Sequence, residues 1–410
     1  MQNIIRIFIL LTFCTTISKS QSVEIFNTSN SSITDNTVRV VKIDNQNRKW
    51  IGTDYGLAVI DNNNAWQTYS TSNSALPDNS IKSISFDKIG NTWIGTQNGG
   101  LAVYDGISWI VYNVSNSNIP DNYVRSIAFD TLGNAWIGTI GGLAKFDGTT
   151  WTIYNMFNSS LISNNIAALH VDTITNTIYA GTINGGLTVI NDTVLSTFTI
   201  QNSGLPDNSI VAIDEDNGGI IWLGMPAFGI TAFINNSSFV NFNSSTSAIA
   251  SNSLNDIHID ENQIIWMASL DSGILTKQNL NFGSINTTNT AIPENAILSV
   301  NVDDSGNVWA GTDVSGLIKF HPLYAGIEQS VSNSEIKIFP NPFSDYVNFT
   351  CDENIIQRVE LFNMKSELVC SLSDNICCNK MNTIHLPQGI YLARLMLKNK
   401  TFRYYKIMKQ

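Results

Sequence analysis

Two histidines, a lysine and an aspartate stand at one recurring position of this chain, two residues before an Asp that closes a short apolar run. The full set is Lys42, Ser85, Ala128, His170, Asp214, His258 and Asn301, ahead of Asp44, Asp87, Asp130, Asp172, Asp216, Asp260 and Asp303. An imidazole or amine beside a carboxylate can move a proton, so His170, His258, Lys42 and Asp214 could supply a base and an acid. If these runs are innermost strands, Lys42, His170, Asp214, His258 and Asn301 are expected to line a polar channel. Ser85 and Ala128 fit tight packing instead.

A second group suits binding. Seven turns carry Asp54-Tyr55, Gln97-Asn98, Ile140, Ile183-Asn184, Pro226-Ala227-Phe228, Leu270-Asp271 and Asp313-Val314. These positions break a rule the rest of the chain keeps, so they are free to differ for a purpose. Asp54, Tyr55, Gln97, Asn98, Asn184, Phe228, Asp271 and Asp313 offer carboxylates and amides beside aromatics, which would suit sugar hydroxyls or a protein partner. Solvated turns with no ligand are the plainer alternative.

Other chemistry finds no footing. The chain has four histidines, and no Ser/His/Asp pattern, glycine-rich phosphate loop or Cys/His metal spacing. Asp214–Gly218 and Asp303–Asn307 superficially suggest calcium loops, yet both sit at hairpin turns and lack the closing bidentate Glu. No catalytic constellation, no metal site and no cofactor is expected.

What must position these residues is a repeat. Trp50-Ile51-Gly52-Thr53 returns at Trp93–Thr96 and Trp136–Thr139, then in looser form at Tyr179, Trp222, Trp266 and Trp309, in steps of 43 or 44 residues. Such a period with strand-like composition marks β-propeller blades, here seven. Residues 79–112 show the four strands of one unit, separated by turns at Lys88–Asn91, Gln97–Gly100 and Asp105-Gly106. Outer-strand segments occur six times, from Trp66–Tyr69 to Phe282–Ile285, and none follows Leu317–Phe320. Val23–Phe26 has the missing pattern, so the first strand is predicted to complete the last blade and close the ring. The nine tryptophans fall at two repeat positions and are expected to pack between blades. An Asn eight residues before each closing Asp (Asn36, Asn79, Asn122, Asn164, Asn208, Asn252, Asn295) and the Asp itself are expected to shape turns through backbone hydrogen bonds.

The two ends differ from the repeat. Residues 1–20 read as a signal peptide, with Arg6 before an apolar run and cleavage after Ser20. No later stretch is apolar enough for a transmembrane span in the mature chain. Outside the signal, cysteines lie only at 351, 370, 377 and 378, where Cys370 could pair with Cys377 or Cys378. Residues 21–334 hold 10 Lys/Arg against 26 Asp/Glu, whereas 335–410 hold 10 against 7. So acidic a ring repels phosphate backbones, and no nucleic-acid partner is expected.

The unit of an apolar strand ending in Asp, a Gly-Asn turn, Trp-Ile-Gly-Thr and Gly-Gly-Leu resembles the two-component regulator propeller repeat over about 23–321. In that family such propellers commonly form periplasmic sensor parts that respond to oligosaccharides. The chain has no kinase motif, so the resemblance implies the fold and ligand binding, not signalling. Ile336–Phe343 with its Pro340-Asn341-Pro342, Val359–Met364, Leu386–Leu392 and the basic Lys406–Lys409 resemble the type A sorting domain of the type IX secretion system of Bacteroidota. That resemblance implies the type IX machinery as a partner, export across the outer membrane, and a secreted or outer-surface location.

The expected architecture is all-β: a signal peptide (1–20), a seven-bladed β-propeller (21–321), a linker (322–334) and a small C-terminal β-sandwich (335–410). The expected function is a non-catalytic binding module for a glycan or protein ligand. A polysaccharide-active lyase or hydrolase, or a structural adhesin, is the alternative.

Overall fold

The computed structural model describes residues 23–322 except 193 and 280, and 337–409 except 351–355, 364–367, 374–378 and 398–401. The signal peptide, most of the linker, and Cys351, Cys377 and Cys378 lie outside the described residues. The chain divides into two compact units, 1–323 and 324–410.

The first unit is seven four-stranded antiparallel sheets. The innermost strands are Val38–Ile43, Ile81–Phe86, Val124–Phe129, Ile166–Asp172, Ala212–Glu215, Leu254–Ile259 and Ile297–Val302. Each lies beside the next, and the seventh beside the first, so they surround a central axis. Closure occurs where the sequence predicts it: Val23–Phe26 pairs with Leu317–Phe320, Val23 opposite Phe320 and Phe26 opposite Leu317. The Phe26 ring lies 5.8 Å from that of Trp66 and 5.9 Å from that of Trp309, tying the last blade to the first.

The recurring Asp does more than shape its turn. In the first blade, one carboxylate oxygen of Asp44 accepts the backbone amides of Gln46 and Arg48 at 3.0 and 2.9 Å. The other accepts the indole N–H of Trp50 at 2.9 Å. Asp87, Asp130, Asp216, Asp260 and Asp303 take the indoles of Trp93, Trp136, Trp222, Trp266 and Trp309 in the same way. All six of these indoles are buried. Each removes on the order of 200 Å² from water, worth about 5 kcal/mol at the usual area coefficient. A buried indole N–H needs a partner, and the hairpin carboxylate supplies it without further chain. Blade four has Tyr179 in place of Trp, so Asp172 accepts the Thr175 hydroxyl instead.

The recurring Asn joins one blade to the next. Its side-chain oxygen accepts a backbone amide eight residues earlier in all seven units, from Thr28 to Thr287. The Asn36 carbonyl also accepts the amide of Gly316 across the closure at 2.9 Å. The sequence and the structure differ slightly at strand starts: Val194, not Leu195, opens the outer strand of blade four. Asn191 pairs with Val194 across a two-residue turn whose Asp192 takes φ 51°, so the ladder runs one residue further.

The second unit is a sandwich. Lys337–Phe339, Tyr346–Thr350 and Asn379–Asn382 form one sheet; Leu368–Ser373, Ile356–Phe362, Gly389–Leu397 and Phe402–Lys409 form the other. Val347, Phe349 and Met381 face Val359, Leu361, Ala393 and Leu395 in one core. Cys370 is a free thiol among the described residues.

Removing Val23–Phe26 is expected to expose the Leu317–Phe320 edge and strip Trp309 of a stacked ring. We expect a loss of several kcal/mol, or about 10 °C in melting temperature, read by circular dichroism. A melting point unchanged within a degree would refute the closure.

Candidate functional site

The seven turns between second and third strands lie on one face of the ring and share one backbone solution. Each closes on a glycine at positive φ, from +74° at Gly229 to +141° at Gly142. At Gly100 an added Cβ would meet the Tyr112 carbonyl oxygen at 2.3 Å, so the outer strand leaves no room for a side chain. A threonine hydroxyl locks the turn from its other end, donating to Gly56 O from Thr53 at 2.9 Å and to Gly100 O from Thr96 at 2.8 Å. Thr139, Thr182 and Thr312 repeat the contact. Only the residues between are free to vary.

Those residues fall into two groups. Tyr55 and Phe228 are exposed, by 69% and 42%, on turns of blades one and five. Ile140, Leu270 and Val314 are exposed at the equivalent place in blades three, six and seven. The polar candidates are largely engaged already. Asp54 accepts Arg39 Nη2 at 2.7 Å, Arg39 Nε at 3.0 Å, Lys82 Nζ at 2.9 Å and the Ser80 hydroxyl at 2.9 Å. Partial burial works against this charge, but the two cations and the hydroxyl hold its pKa well below the usual carboxylate range. Asp313 lies 3.8 Å from Arg39, and Gln97 accepts the same Ser80 hydroxyl at 3.1 Å. The fold thus gathers Asp54, Gln97 and Asp313 around Arg39 and Ser80. Asn184, at φ 65°, accepts the Ser209 hydroxyl. Asp271 accepts that of Ser269. The Asn98 amide is held by Asp78. Asn184 and Asp271 sit on other turns and are not joined to the first cluster; Asn98 follows Gln97 on its turn but, among the described residues, makes no side-chain hydrogen bond with that cluster.

Inside the ring, a cavity of about 270 Å³ is lined by all seven innermost strands. Lys42 is in its wall. The remaining channel candidates share the register of Lys42, toward the opposite face, since each pairs across its hairpin with the blade's Trp or Tyr (Lys42 with Trp50, His170 with Tyr179, Asp214 with Trp222, His258 with Trp266, Asn301 with Trp309), but of the five this cavity takes in Lys42 alone. His258 and Asn301 line a second cavity of about 280 Å³ together with Asp44, Asp260 and Asp303. His170 Nε2 lies 2.9 Å from Glu215, and Asp214 stands 3.9 Å from both His170 and His258. Asp214 also accepts the Ile259 amide at 2.7 Å, which staples blade five to blade six. The arrangement brings His170, Asp214 and His258 together with Glu215, while Lys42 and Asn301 make no hydrogen bond or ion pair with them.

Sequence reasoning passed over Arg39, Lys82, Tyr123, Arg125 and Asp256, which also line the first cavity. A signal for the three cations was present. Each stands three residues after a recurring Asn, at one register position in three successive blades; the other four blades place Ala167, Val211, Asn255 and Leu298 there.

Burial in the channel wall pushes the His258 imidazole down to about 4, against the attraction of Asp214. It is therefore neutral in the folded state at pH 7 and must bind a proton more weakly than in the unfolded chain, whose histidines titrate near 6.5. The stability this confers is complete above about pH 6.5 and is lost as pH falls toward 4. Relative to wild type, His258→Gln should be progressively favoured over that window, by about 2–3 kcal/mol at pH 4. Paired urea titrations at pH 7 and pH 4.5 would check this; an equal acid loss in both proteins would exclude it.

Comparison with known proteins accords with this architecture. The two-component regulator propeller family matches residues 75–98 and 118–141. The secretion system C-terminal sorting domain matches residues 337–410. No curated protein matches the chain. Among solved structures, the extracellular domain of the putative hybrid two-component system BT3049 from B. thetaiotaomicron aligns at TM-score 0.64 and 22% identity, over 95% of this chain and 57% of its own. PorZ, a surface component of the type IX secretion system of Porphyromonas gingivalis, aligns at TM-score 0.57 and 16% identity, over 92% of this chain and 60% of its own. Virginiamycin B lyase from Staphylococcus aureus aligns at TM-score 0.60 and 13% identity, over 74% of this chain and 99% of its own. At these identities the likeness is one of fold, and the chain spans little more than half the length of the first two. No helix among the described residues is long and apolar enough to cross a membrane. The chain is a seven-bladed propeller, two of whose repeats match the two-component regulator propeller family, and it carries a type IX secretion sorting domain that marks it for export to the cell surface or the medium.

Proposed function

We propose that this protein is a non-catalytic binding module that recognises a glycan or protein partner through the turn face of its propeller. The observation that carries the reading is the pair Tyr55 and Phe228, exposed aromatics on turns whose backbones are fixed by glycine and, in blade one, threonine. An aromatic held on a rigid turn loses little freedom on binding, and it presents a flat apolar face to a sugar ring or a side chain. The repeat's recurring polar groups do not compete for this role, since the recurring Asn is consumed by a backbone amide and the closing Asp by backbone amides and, in six blades, an indole. Residues 1–20 would be removed at the inner membrane, and residues 335–410 would engage the type IX machinery.

Two experiments test this. First, a glycan array and a surface pull-down with the secreted chain, combined with a reducing-end assay on any hit, should give binding without turnover. Tyr55→Ala or Phe228→Ala should each weaken it by about tenfold or more, as for aromatic hot spots. Turnover abolished by His258→Ala would favour an enzyme, and no binding to any partner would favour an adhesin. Second, removing residues 335–410 should leave the propeller in the periplasm, as seen by fractionation and immunoblotting. Its arrival at the surface or in the medium without that domain would sink the export route.

A further inference from the structure

The propeller is acidic, yet its cations are not spread evenly. Of the 10 Lys/Arg in residues 21–334, four line the 270 Å³ cavity: Arg39, Lys42, Lys82 and Arg125. Of the 26 Asp/Glu in the same span, Asp256 alone is in its wall. That carboxylate is committed to the Ser299 hydroxyl at 2.7 Å and the Val300 amide at 3.1 Å.

Elsewhere in the propeller four of the six cations are paired with carboxylates and the other two are bound to carbonyls. Arg48 pairs with Asp44, Lys49 with Asp303, Lys145 with Asp130 and Lys319 with Glu24. Lys88 donates to a carbonyl, and Lys277 donates to a carbonyl while lying over Trp222. At the cavity the balance is left positive. Asp54 is shared by Arg39 and Lys82, and Asp313 stands 3.8 Å from Arg39, so two carboxylates face the three cations Arg39, Lys82 and Arg125. No carboxylate lies within ion-pair distance of Arg125 or Lys42 among the described residues. Arg125 instead rests its guanidinium 5.6 Å from the Tyr123 ring centroid, which leaves its N–H fork uncommitted. A buried hydroxyl in the same wall, Ser126 Oγ, also has no hydrogen-bond partner among the described residues.

We propose that the turn-face end of the channel is an oxyanion site. Arg125 grips a carboxylate, sulfate or phosphate group of a small ligand, while Lys82 and Arg39, held in place and largely offset by Asp54 and Asp313, stand beside it. Three cations at one register position of adjacent blades converge on the axis, where low-dielectric walls focus their field. Lys42, three residues further along its strand and so about 10 Å deeper, extends that field into the channel. A guanidinium stacked on an aromatic keeps its planar fork pre-organised for two parallel hydrogen bonds to an oxyanion. The site borrows Asp54 from the turn that carries Tyr55, but neither Tyr55 nor Phe228 is in the cavity wall.

The test is calorimetric titration of the full secreted chain, at low ionic strength, with sodium sulfate and with sodium glucuronate. Glucose and potassium chloride serve as the uncharged and simple-salt controls. We expect at least one oxyanion to bind, with affinity falling as salt is raised, and Arg125→Gln to weaken it by about tenfold or more. Tyr55→Ala and Phe228→Ala should leave the titration unchanged, which separates failure of this site from failure of the binding face. In oxyanion-free buffer, Arg125→Gln should melt no lower than wild type, because it relieves repulsion among like charges. Sulfate should raise the wild-type melting point but not that of the variant. No binding of either oxyanion, equal binding by Arg125→Gln, binding of glucose as tight as of glucuronate, or a variant destabilised without ligand would each overturn the proposal.

Discussion

The structure hangs on a carboxylate that serves two masters. In six blades, one oxygen of the closing Asp organises the first hairpin while the other satisfies the indole of the Trp six residues on. Neither group could be buried alone at acceptable cost: an indole N–H without a partner loses a hydrogen bond, and a carboxylate without donors loses its solvation. Together they satisfy each other within one tight turn. Burial tends to raise the pKa of Asp130 and Asp303, yet the indole and Asn donors hold both below the ordinary value, so both carboxylates stay ionised at neutral pH. The Trp can then spend its whole surface between blades, where most of the ring's apolar area is buried.

That economy leaves the rest of each blade free. Glycine and threonine fix the backbone of the turn face, so whatever stands between them is displayed rather than folded. Tyr55 and Phe228 are displayed, whereas Asp54 is drawn inward by Arg39 and Lys82. The two ends of the channel are built differently as a result. The turn-face end is positive through blades one to three. The other holds the His170, Glu215, Asp214 and His258 cluster in blades four to six. A propeller commonly places its specificity where blades depart from their own repeat, and both departures here are at the axis or on the turns.

The sequence was a good guide to the scaffold and a partial guide to the site. The closure of Val23–Phe26 on Leu317–Phe320 was legible because the missing outer strand was visible as a gap in the repeat. The channel position was legible in type but not in depth. Lys42 and His258 occupy the same repeat register, yet they line different cavities. Asp54 reads as an exposed turn carboxylate until Arg39 and Lys82, 15 residues before and 28 after it, are seen on either side.

By itself, the sequence determined the number of blades, their strand order, the ring closure and the sorting domain. These are written in spacing and in turn residues; local hydrogen bonding builds the blades one hairpin at a time, and the pairing of Val23–Phe26 with Leu317–Phe320 closes them. Tertiary structure decided which charges meet. Arg39, Lys82 and Arg125 stand 43 residues apart in the chain and become neighbours only because consecutive blades lie side by side around an axis. His170, Asp214 and His258 meet for the same reason. Electrostatic character depends on distance through space, and a repeat fixes that distance only once the ring is closed.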